Sequence, residues 1–345
     1  MRLHRLTCAT AALLLLLGGC SGDGERDAKR AAEPAVGAAP SPEPTGNALG
    51  STTIPEVLPV APYLDPASGT ADAGDVAKAT GQKDFTLAYV LARGAGDCTA
   101  TWGGTKPLTD PAVAAQVARI EALGGRTVVA TGGEAGTYLE STCRADQLTA
   151  AYASALDAAG ANRLDVDIEQ EVTIDTVAEA LATLQKDRGT AITVTLPVAG
   201  VTEGLTGPGI ALLKGIKAAG ARVTVNALTM NLDAAGGGWG RAMTLAAGAV
   251  GDDLAAIWPD TGSAAIYRML GVTPMIGVNN TGGTTAPDDA QYLLDWARHK
   301  GLGFVRFRSV NRDDGDCGNG TVAADCSGIT QTKYQFTAEF RKFAS

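Results

Sequence analysis

The chain has 345 residues and a formal net charge of −9, and its Lys and Arg residues form no basic stripe. This charge distribution argues against nucleic acid as a partner, because binding to phosphates needs clustered cations. The sequence contains two histidines, His4 and His299. Only His299 would remain after removal of a leader, which argues against a Ser-His-Asp triad, a Cys-His pair and a histidine-rich zinc site.

Residues 1–19 have the pattern of a signal peptide. Arg2 and Arg5 precede an apolar run that ends at Leu17 and is too short to span a bilayer. The run closes with Gly-Gly-Cys, which resembles the lipobox of bacterial lipoproteins and implies cleavage before Cys20 and acylation of that cysteine. An ordinary secretory signal is the alternative. We therefore expect an exported protein, anchored by lipid at the cell membrane and facing away from the cytoplasm.

The segment 20–58 is rich in Ala, Pro, Gly, Glu and Ser and has very few large apolar residues. Such a composition cannot bury a core, so we predict a disordered tether that spans roughly 30–40 Å. Loss of the two leader arginines lowers the formal charge of the mature chain from −9 to −11. The folded domain is predicted at 59–345, and we expect it to be monomeric.

From residue 59 onward, strand-like runs alternate with Ala-rich runs of helical periodicity. The predicted strands are 62–65, 85–92, 127–131, 164–169, 192–198, 223–230, 273–278 and 304–310. The predicted helices are 71–80, 111–123, 146–159, 175–186, 208–219, 243–258, 287–300 and 333–343. This alternation predicts an α/β fold, a (β/α)₈ TIM barrel. A doubly wound open sheet is the alternative, but the Gly-rich turn expected after its first strand is missing.

Three carboxylates occupy alternate positions near the end of the fourth predicted strand, at Asp165, Asp167 and Glu169. Side chains at alternate positions share one face of a strand. Both faces of a parallel sheet are covered, so three acids there are costly unless they serve chemistry or a metal. Active sites of barrels lie at the carboxyl ends of the strands, which predicts Glu169 at the mouth with the two aspartates below it. The alternative is an ordinary edge strand whose acidic side chains face solvent and have no catalytic role.

The segment 164–169, Leu-Asp-Val-Asp-Ile-Glu, resembles the D-x-D-x-E signature of family 18 glycoside hydrolases, the chitinases and their relatives. The likeness continues through the blocks 102–104, 132–133, 225–230, 271–279 and 309–313. It implies a barrel that acts on chitin or a related β-1,4-linked amino-sugar polymer without a cofactor.

The resemblance also implies roles for the three acids. Glu169 would be the general acid, and the N-acetyl group of the substrate would be the nucleophile in a retaining reaction. Asp167 would orient the acetamido group, and Asp165 would adjust the charge state of Asp167. A divalent-metal site at the same three acids is a further hypothesis, because carboxylates suit hard cations.

The chain departs from the family pattern at several positions, including Ala130 and Asn162-Arg163, and two further departures concern the sugar site. Leu232 stands where the family commonly has a Tyr hydroxyl, and Arg308 stands where a Trp usually forms the floor of the sugar site. We predict that Arg308 enters the mouth within salt-bridge reach of a signature carboxylate, since it shares a strand face with Arg306. Arg308 could keep Glu169 ionised or select a substrate that bears a carboxylate. The alternative function is a non-catalytic chitin- or glycan-binding lipoprotein with a degenerate site.

Further substrate-binding candidates are polar and aromatic residues at strand ends and in Gly-rich segments. Trp102 and Trp239 are predicted either to stack on a sugar or to pack within their loops. Asn279 follows the seventh predicted strand, where a polar group can bond a sugar hydroxyl. Asn231 follows the sixth and is a candidate for the same reason.

Six cysteines reduce to four in the mature domain, because one leaves with the signal peptide and Cys20 is acylated. Disulfides persist in an exported domain. Four cysteines allow three connectivities. Proximity within one Gly-rich segment favours Cys317–Cys326, which leaves Cys98–Cys143 as the second pair.

Overall fold

The computed structural model describes residues 56–233 and 238–344. The predicted signal peptide, Cys20 and most of the predicted tether lie outside these residues, so they stay predictions. Leu58 is fully buried against Ala61 and Val128. The packed region therefore begins slightly before the predicted boundary at residue 59. Across the described ranges, every helix is too short or too polar to cross a membrane.

The strands and helices alternate along the chain, as the sequence pattern predicts. The strands are β1 (Tyr63–Leu64), β2 (Phe85–Gly94), β3 (Asp97–Trp102), β4 (Lys106–Pro107), β5 (Thr127–Gly132), β6 (Arg163–Asp167), β7 (Ala191–Pro197), β8 (Val223–Leu228), β9 (Leu270–Thr273), β10 (Gly277–Val278), β11 (Thr284–Thr285) and β12 (Phe304–Val305). The helices are α1 (Ala73–Thr80), α2 (Pro111–Ala122), α3 (Leu139–Thr142), α4 (Ala145–Ala158), α5 (Ile174–Arg188), α6 (Gly207–Ala218), α7 (Trp239–Ile257), α8 (Ser263–Met269), α9 (Pro287–Lys300) and α10 (Gln335–Arg341).

Parallel strands form a closed barrel in the order β1-β2-β5-β6-β7-β8-β9-β12. Closure comes from a parallel bridge between Val60 and Val305 and from the Tyr63 N–H, which donates to the Phe307 carbonyl at 3.1 Å. The prediction of a (β/α)₈ barrel is confirmed. Its carboxyl-end loops therefore converge on one mouth.

The helices begin and end where side-chain chemistry favours it. Asp72 caps α1, because its carboxylate accepts the N–H groups of Gly74 and Asp75. Gly81 ends the same helix at φ +78°, a left-handed conformation that suits glycine. The helices pack around the barrel and cover the apolar outer face of the strands.

Several predicted strands differ from the observed ones, and the eighth, predicted at 304–310, is β12 at Phe304–Val305. The seventh barrel strand, predicted at 273–278, is β9 at Leu270–Thr273. It ends there because Pro274 has no N–H to continue the ladder. The fourth barrel strand ends at Asp167 rather than at Glu169. The antiparallel pairing of β2 with β3 was not predicted from the sequence.

Both predicted disulfides are formed. Cys98 in β3 is joined to Cys143, directly after α3, with a Cα–Cα distance of 5.2 Å. Cys317 and Cys326 are joined at a Cα–Cα distance of 6.1 Å within the segment after β12. Each disulfide therefore stabilises segments that follow the carboxyl end of a barrel strand.

A buried carboxyl group lies between β5 and α4. Glu140 is fully buried, and its Oε1 accepts hydrogen bonds from the hydroxyl groups of Thr131 at 2.6 Å and Tyr152 at 2.8 Å. Its Oε2 has no partner. Burial raises the pKa of Glu140, so the folded state favours its neutral form.

This buried acid should make stability depend on pH. Because the folded-state pKa is raised, the stabilising contribution is complete below the unfolded-state pKa and is lost as pH rises through the folded-state pKa. We expect the free energy of unfolding in urea to fall as pH rises above the ordinary pKa of glutamate, and the fall to be smaller in Glu140→Gln. Exposed Glu121→Gln is the control. An identical pH slope in wild type and Glu140→Gln would contradict this role.

Candidate active site

The three acids lie at increasing height in the barrel. Asp165 and Asp167 are fully buried in β6 and point into the barrel, while Glu169 is partly exposed just beyond the end of the strand. In the sheet, Asp167 lies between Gly132 of β5 and Thr195 of β7. The run of acids therefore leads from the core of the barrel to its mouth.

Asp165 is held by three donors. Its Oδ2 accepts the hydroxyl of Tyr63 at 2.6 Å and Nη1 of Arg306 at 2.8 Å, and its Oδ1 accepts the hydroxyl of Thr195 at 2.6 Å. The Arg306 and Asp165 side chains are 1% and 0% exposed. The cation that pairs with a signature acid is therefore Arg306. Asp165 has no group left to offer a substrate.

Asp167 has fewer partners. Its Oδ2 accepts the hydroxyl of Tyr89 at 2.8 Å, and its buried Oδ1 has no hydrogen-bond partner. Burial, followed by the charges of Glu169 and Asp165, raises the pKa of Asp167 well above its usual range. A protonated Asp167 can donate a hydrogen bond, and its free oxygen can accept one.

Tyr89 reaches Asp167 because the residue that faces its ring is a glycine, Gly133, which has no side chain. Gly133 lies at φ +92°, and a Cβ there would be 2.8 Å from the Tyr89 ring. The Gly133 N–H donates to the carbonyl of Asp167 at 2.9 Å. The paired glycines after β5 thus bring the tyrosine and the acid together.

Glu169 is positioned through its backbone. Its N–H donates to the Tyr138 hydroxyl at 3.1 Å, and that hydroxyl donates to the Gly133 carbonyl. Within the described ranges, nothing donates a hydrogen bond to its carboxyl group. Burial raises the pKa of Glu169, Arg308 opposes that rise and Glu134 adds to it. The group therefore stays protonated to a higher pH than an exposed glutamate does.

Arg308 lies at the mouth, but the predicted salt bridge to a signature carboxylate is wrong. Its Nη1 pairs with Oε2 of Glu134 at 3.1 Å, and the two side chains are 29% and 47% exposed. The other oxygen of Glu134 accepts Nδ2 of Asn280 at 2.9 Å. The cation is drawn across the mouth toward the loop after β5.

A cleft of about 550 Å³ opens beside these groups. We call it the mouth cleft; its walls include Tyr63, Tyr89, Glu134, Met275, Asn280 and Arg308. A cavity of about 230 Å³ lies at the opposite pole, near the starts of β6, β7 and β8. The mouth cleft is lined by Tyr63 and Tyr89, which donate hydrogen bonds to Asp165 and Asp167, so it is the candidate substrate site. Glu169 itself lines a separate pocket of about 530 Å³, formed by the chain after β6 and the end of β7.

The structure favours loop packing for two of the predicted substrate-binding residues. Trp102 is 1% exposed, and its indole N–H donates to the Leu108 carbonyl at 3.4 Å. Asn279 is fully buried, and its Nδ2 donates to the carbonyls of Met275 and Gly277, both at 3.0 Å. Both side chains are used within the protein and offer little surface to a sugar.

The two remaining candidates brace the loops after β8 and β10. Trp239 opens α7, is partly buried and donates from its indole N–H to the Thr285 hydroxyl at 2.8 Å. The Asn231 N–H donates to Oδ1 of Asn279 at 3.0 Å, and its own Oδ1 accepts the Asn280 N–H at 2.8 Å. Leu232, at the position where the family commonly has a tyrosine, is buried.

Several groups of the site show little signal in the amino-acid sequence. Tyr89 breaks the strand alternation, because the pairing of β2 with β5 is irregular between Leu87 and Val90. Glu134 lies in a loop without periodicity. Strand alternation predicts that Arg306 and Arg308 share one face of the eighth strand, but it does not predict the ion pair between Arg306 and Asp165.

The metal hypothesis receives no support from the geometry. Over 56–233 and 238–344, no three His, Cys, Asp or Glu side chains are grouped so that they could hold a metal ion. Asp165 is instead bound to Arg306.

Known proteins resemble this chain in both sequence and architecture. No family model matches the chain. Catalytic-site mutants of active domain 2 of a thermostable chitinase from Pyrococcus furiosus, complexed with chito-oligosaccharides, are 31% identical. The match covers 86% of this chain and 97% of that domain, with a TM-score of 0.77. The chain belongs to the chitinase-like glycoside hydrolases of family 18.

Two curated relatives extend this chitinase likeness. A probable bifunctional chitinase/lysozyme of Escherichia coli is 28% identical over 309 residues, which are 82% of this chain and 34% of that protein. Endochitinase 11 of Metarhizium anisopliae is 28% identical over 276 residues, which are 73% of this chain and 52% of that protein. The chain thus spans a third to a half of the length of the curated relatives it matches.

The buried pair below the site should dominate its stability. Arg306→Met leaves Asp165 buried without a cation, so we expect the free energy of unfolding to fall by about 3–5 kcal/mol. Adding Asp165→Asn should recover part of this loss. Arg308→Met, which breaks a partly exposed pair, should cost about 0–1 kcal/mol. Unfolding in guanidinium chloride measures the free energy of unfolding of all three variants. A loss in Arg306→Met no larger than in Arg308→Met would contradict this assignment.

Proposed function

We propose that the domain hydrolyses β-1,4-linked N-acetylglucosamine polymers, chitin or closely related amino-sugar glycans, with Glu169 as the general acid. The observation that carries the proposal is the carboxyl group of Glu169, which accepts no hydrogen bond from the residues that the structure describes and whose pKa is raised by burial. A general acid must hold its proton near working pH and release it to the substrate. The family relationship supports the same reaction class.

In the proposed first step, the Glu169 carboxyl gives its proton to the glycosidic oxygen while the bond from that oxygen to the anomeric carbon breaks. The acetamido oxygen of the same sugar bonds to the anomeric carbon. Water, which gives a proton back to Glu169, then opens this bond, and the two inversions give retention. Asp167, with one oxygen on Tyr89 and the other free, is suited to orient the acetamido group.

A binding protein without turnover is the second candidate. It is favoured by Leu232, whose side chain is buried, and by Arg308, whose ion pair with Glu134 takes the place of an aromatic floor. A sugar would stack less well on this pair than on an indole.

Replacing the acid separates the two functions. Glu169→Gln should lower the rate of product release from chitohexaose by about 10²–10⁴-fold, because the amide cannot donate the proton. Exposed Glu171→Gln is the matched control and should keep the wild-type rate. Mass spectrometry of the products gives the rates, and calorimetry gives the binding. Equal rates in wild type and Glu169→Gln, with binding intact, would favour the non-catalytic candidate.

We further propose that the domain is displayed from a membrane surface through acylated Cys20. The support lies in the signal-like segment 1–19 and the Gly-Gly-Cys that closes it. A fatty acid supplied in the medium should label the wild-type protein, and C20A should lose the label and leave the membrane fraction. A wild-type protein that is exported without label would contradict the anchor.

A further inference from the structure

Arg308 poses a problem for a general acid at Glu169. A guanidinium beside a carboxyl group favours the ionised form, which cannot donate a proton. Arg308 lies at the mouth and acts on Glu169 in this direction. The protein therefore needs something that limits the effect of Arg308.

Glu134 is placed to do so. Its Oε2 is 3.1 Å from Nη1 of Arg308, and its Oε1 accepts Nδ2 of Asn280 at 2.9 Å. Asn280 is fixed in turn, because its N–H donates to Oδ1 of Asn231 at 2.8 Å. Although Glu134 is nearly half exposed, it is held from both sides, and the loops after β5, β8, β10 and β12 meet through it.

Two further groups lie close to Glu169. Asp167 lies beneath it at the end of β6 and is affected by its charge, and the Tyr138 hydroxyl accepts the backbone N–H of Glu169. Among the charged groups, Arg308 lowers the pKa of Glu169 and Glu134 raises it. The two members of the ion pair thus act on the acid in opposite directions.

We propose that Glu134 is a positioning residue for proton transfer, because it neutralises Arg308 and holds the guanidinium away from Glu169. The inference rests on the proposed role of Glu169 as the general acid. Without Glu134, Arg308 loses its partner and can turn toward Glu169, which then becomes ionised. Glu134 therefore acts on Glu169 mainly through Arg308.

The test measures the titration of Glu169 directly by NMR of protein labelled with ¹³C at the glutamate carboxyl, assigned with Glu169→Gln. Glu134→Ala should lower the Glu169 midpoint by about one pH unit or more. Glu134→Gln, which keeps a neutral acceptor for Arg308, should lower it less. In an Arg308→Gln background the same Glu134→Ala change should have little effect. Glu171→Gln removes another exposed acid near Glu169 and is the control.

The basic limb of kcat/KM against pH should move in the same direction as the midpoint. An unchanged midpoint in Glu134→Ala would overturn the proposal. If Glu134→Ala lowered the Glu169 midpoint equally with and without Arg308, the proposal would also be overturned. Glu134 would then act on Glu169 directly through its own charge and not through Arg308. The titration needs no turnover, so failure of this inference is distinct from failure of the proposed hydrolysis, which the Glu169→Gln rates decide.

Discussion

The buried contact between Asp165 and Arg306 is the constraint on which the site depends. It places a cation and an anion inside the barrel, where leaving either unpaired is costly. Tyr63 and Thr195 complete the contact, so residues from β1, β6 and β7 and from the chain after β12 are joined at one point. The floor of the active site is therefore fixed by polar contacts that the closed barrel brings together.

Above this floor, the three acids differ in what surrounds them. Asp165 has a cation and two hydroxyls, Asp167 has one hydroxyl and one free oxygen, and Glu169 has no donor within the described structure. Burial with few donors raises the pKa of both Asp167 and Glu169. A carboxyl group thus serves as a structural anchor at one depth and, in the proposed reaction, as the proton donor at another.

The wall of the mouth cleft carries an ion pair where the family usually has an aromatic floor. Arg308 and Glu134 are held by a chain of amides that runs through Asn280 and Asn231 to buried Asn279. Such polar walls suit hydrogen bonding more than stacking. The substitution at Arg308 is therefore not isolated, because the surrounding loops supply the partner that it requires.

The sequence by itself determined the barrel and the shared face of Asp165 and Asp167, and it favoured the cysteine pairing that the structure contains. Strand alternation and local spacing carry that information. Only the tertiary structure decided which cation meets which acid. Arg306 reaches Asp165, whereas Arg308 turns to Glu134, since the closed barrel brings these distant segments together. Burial and ion pairing depend on such long-range contacts, which no local pattern contains.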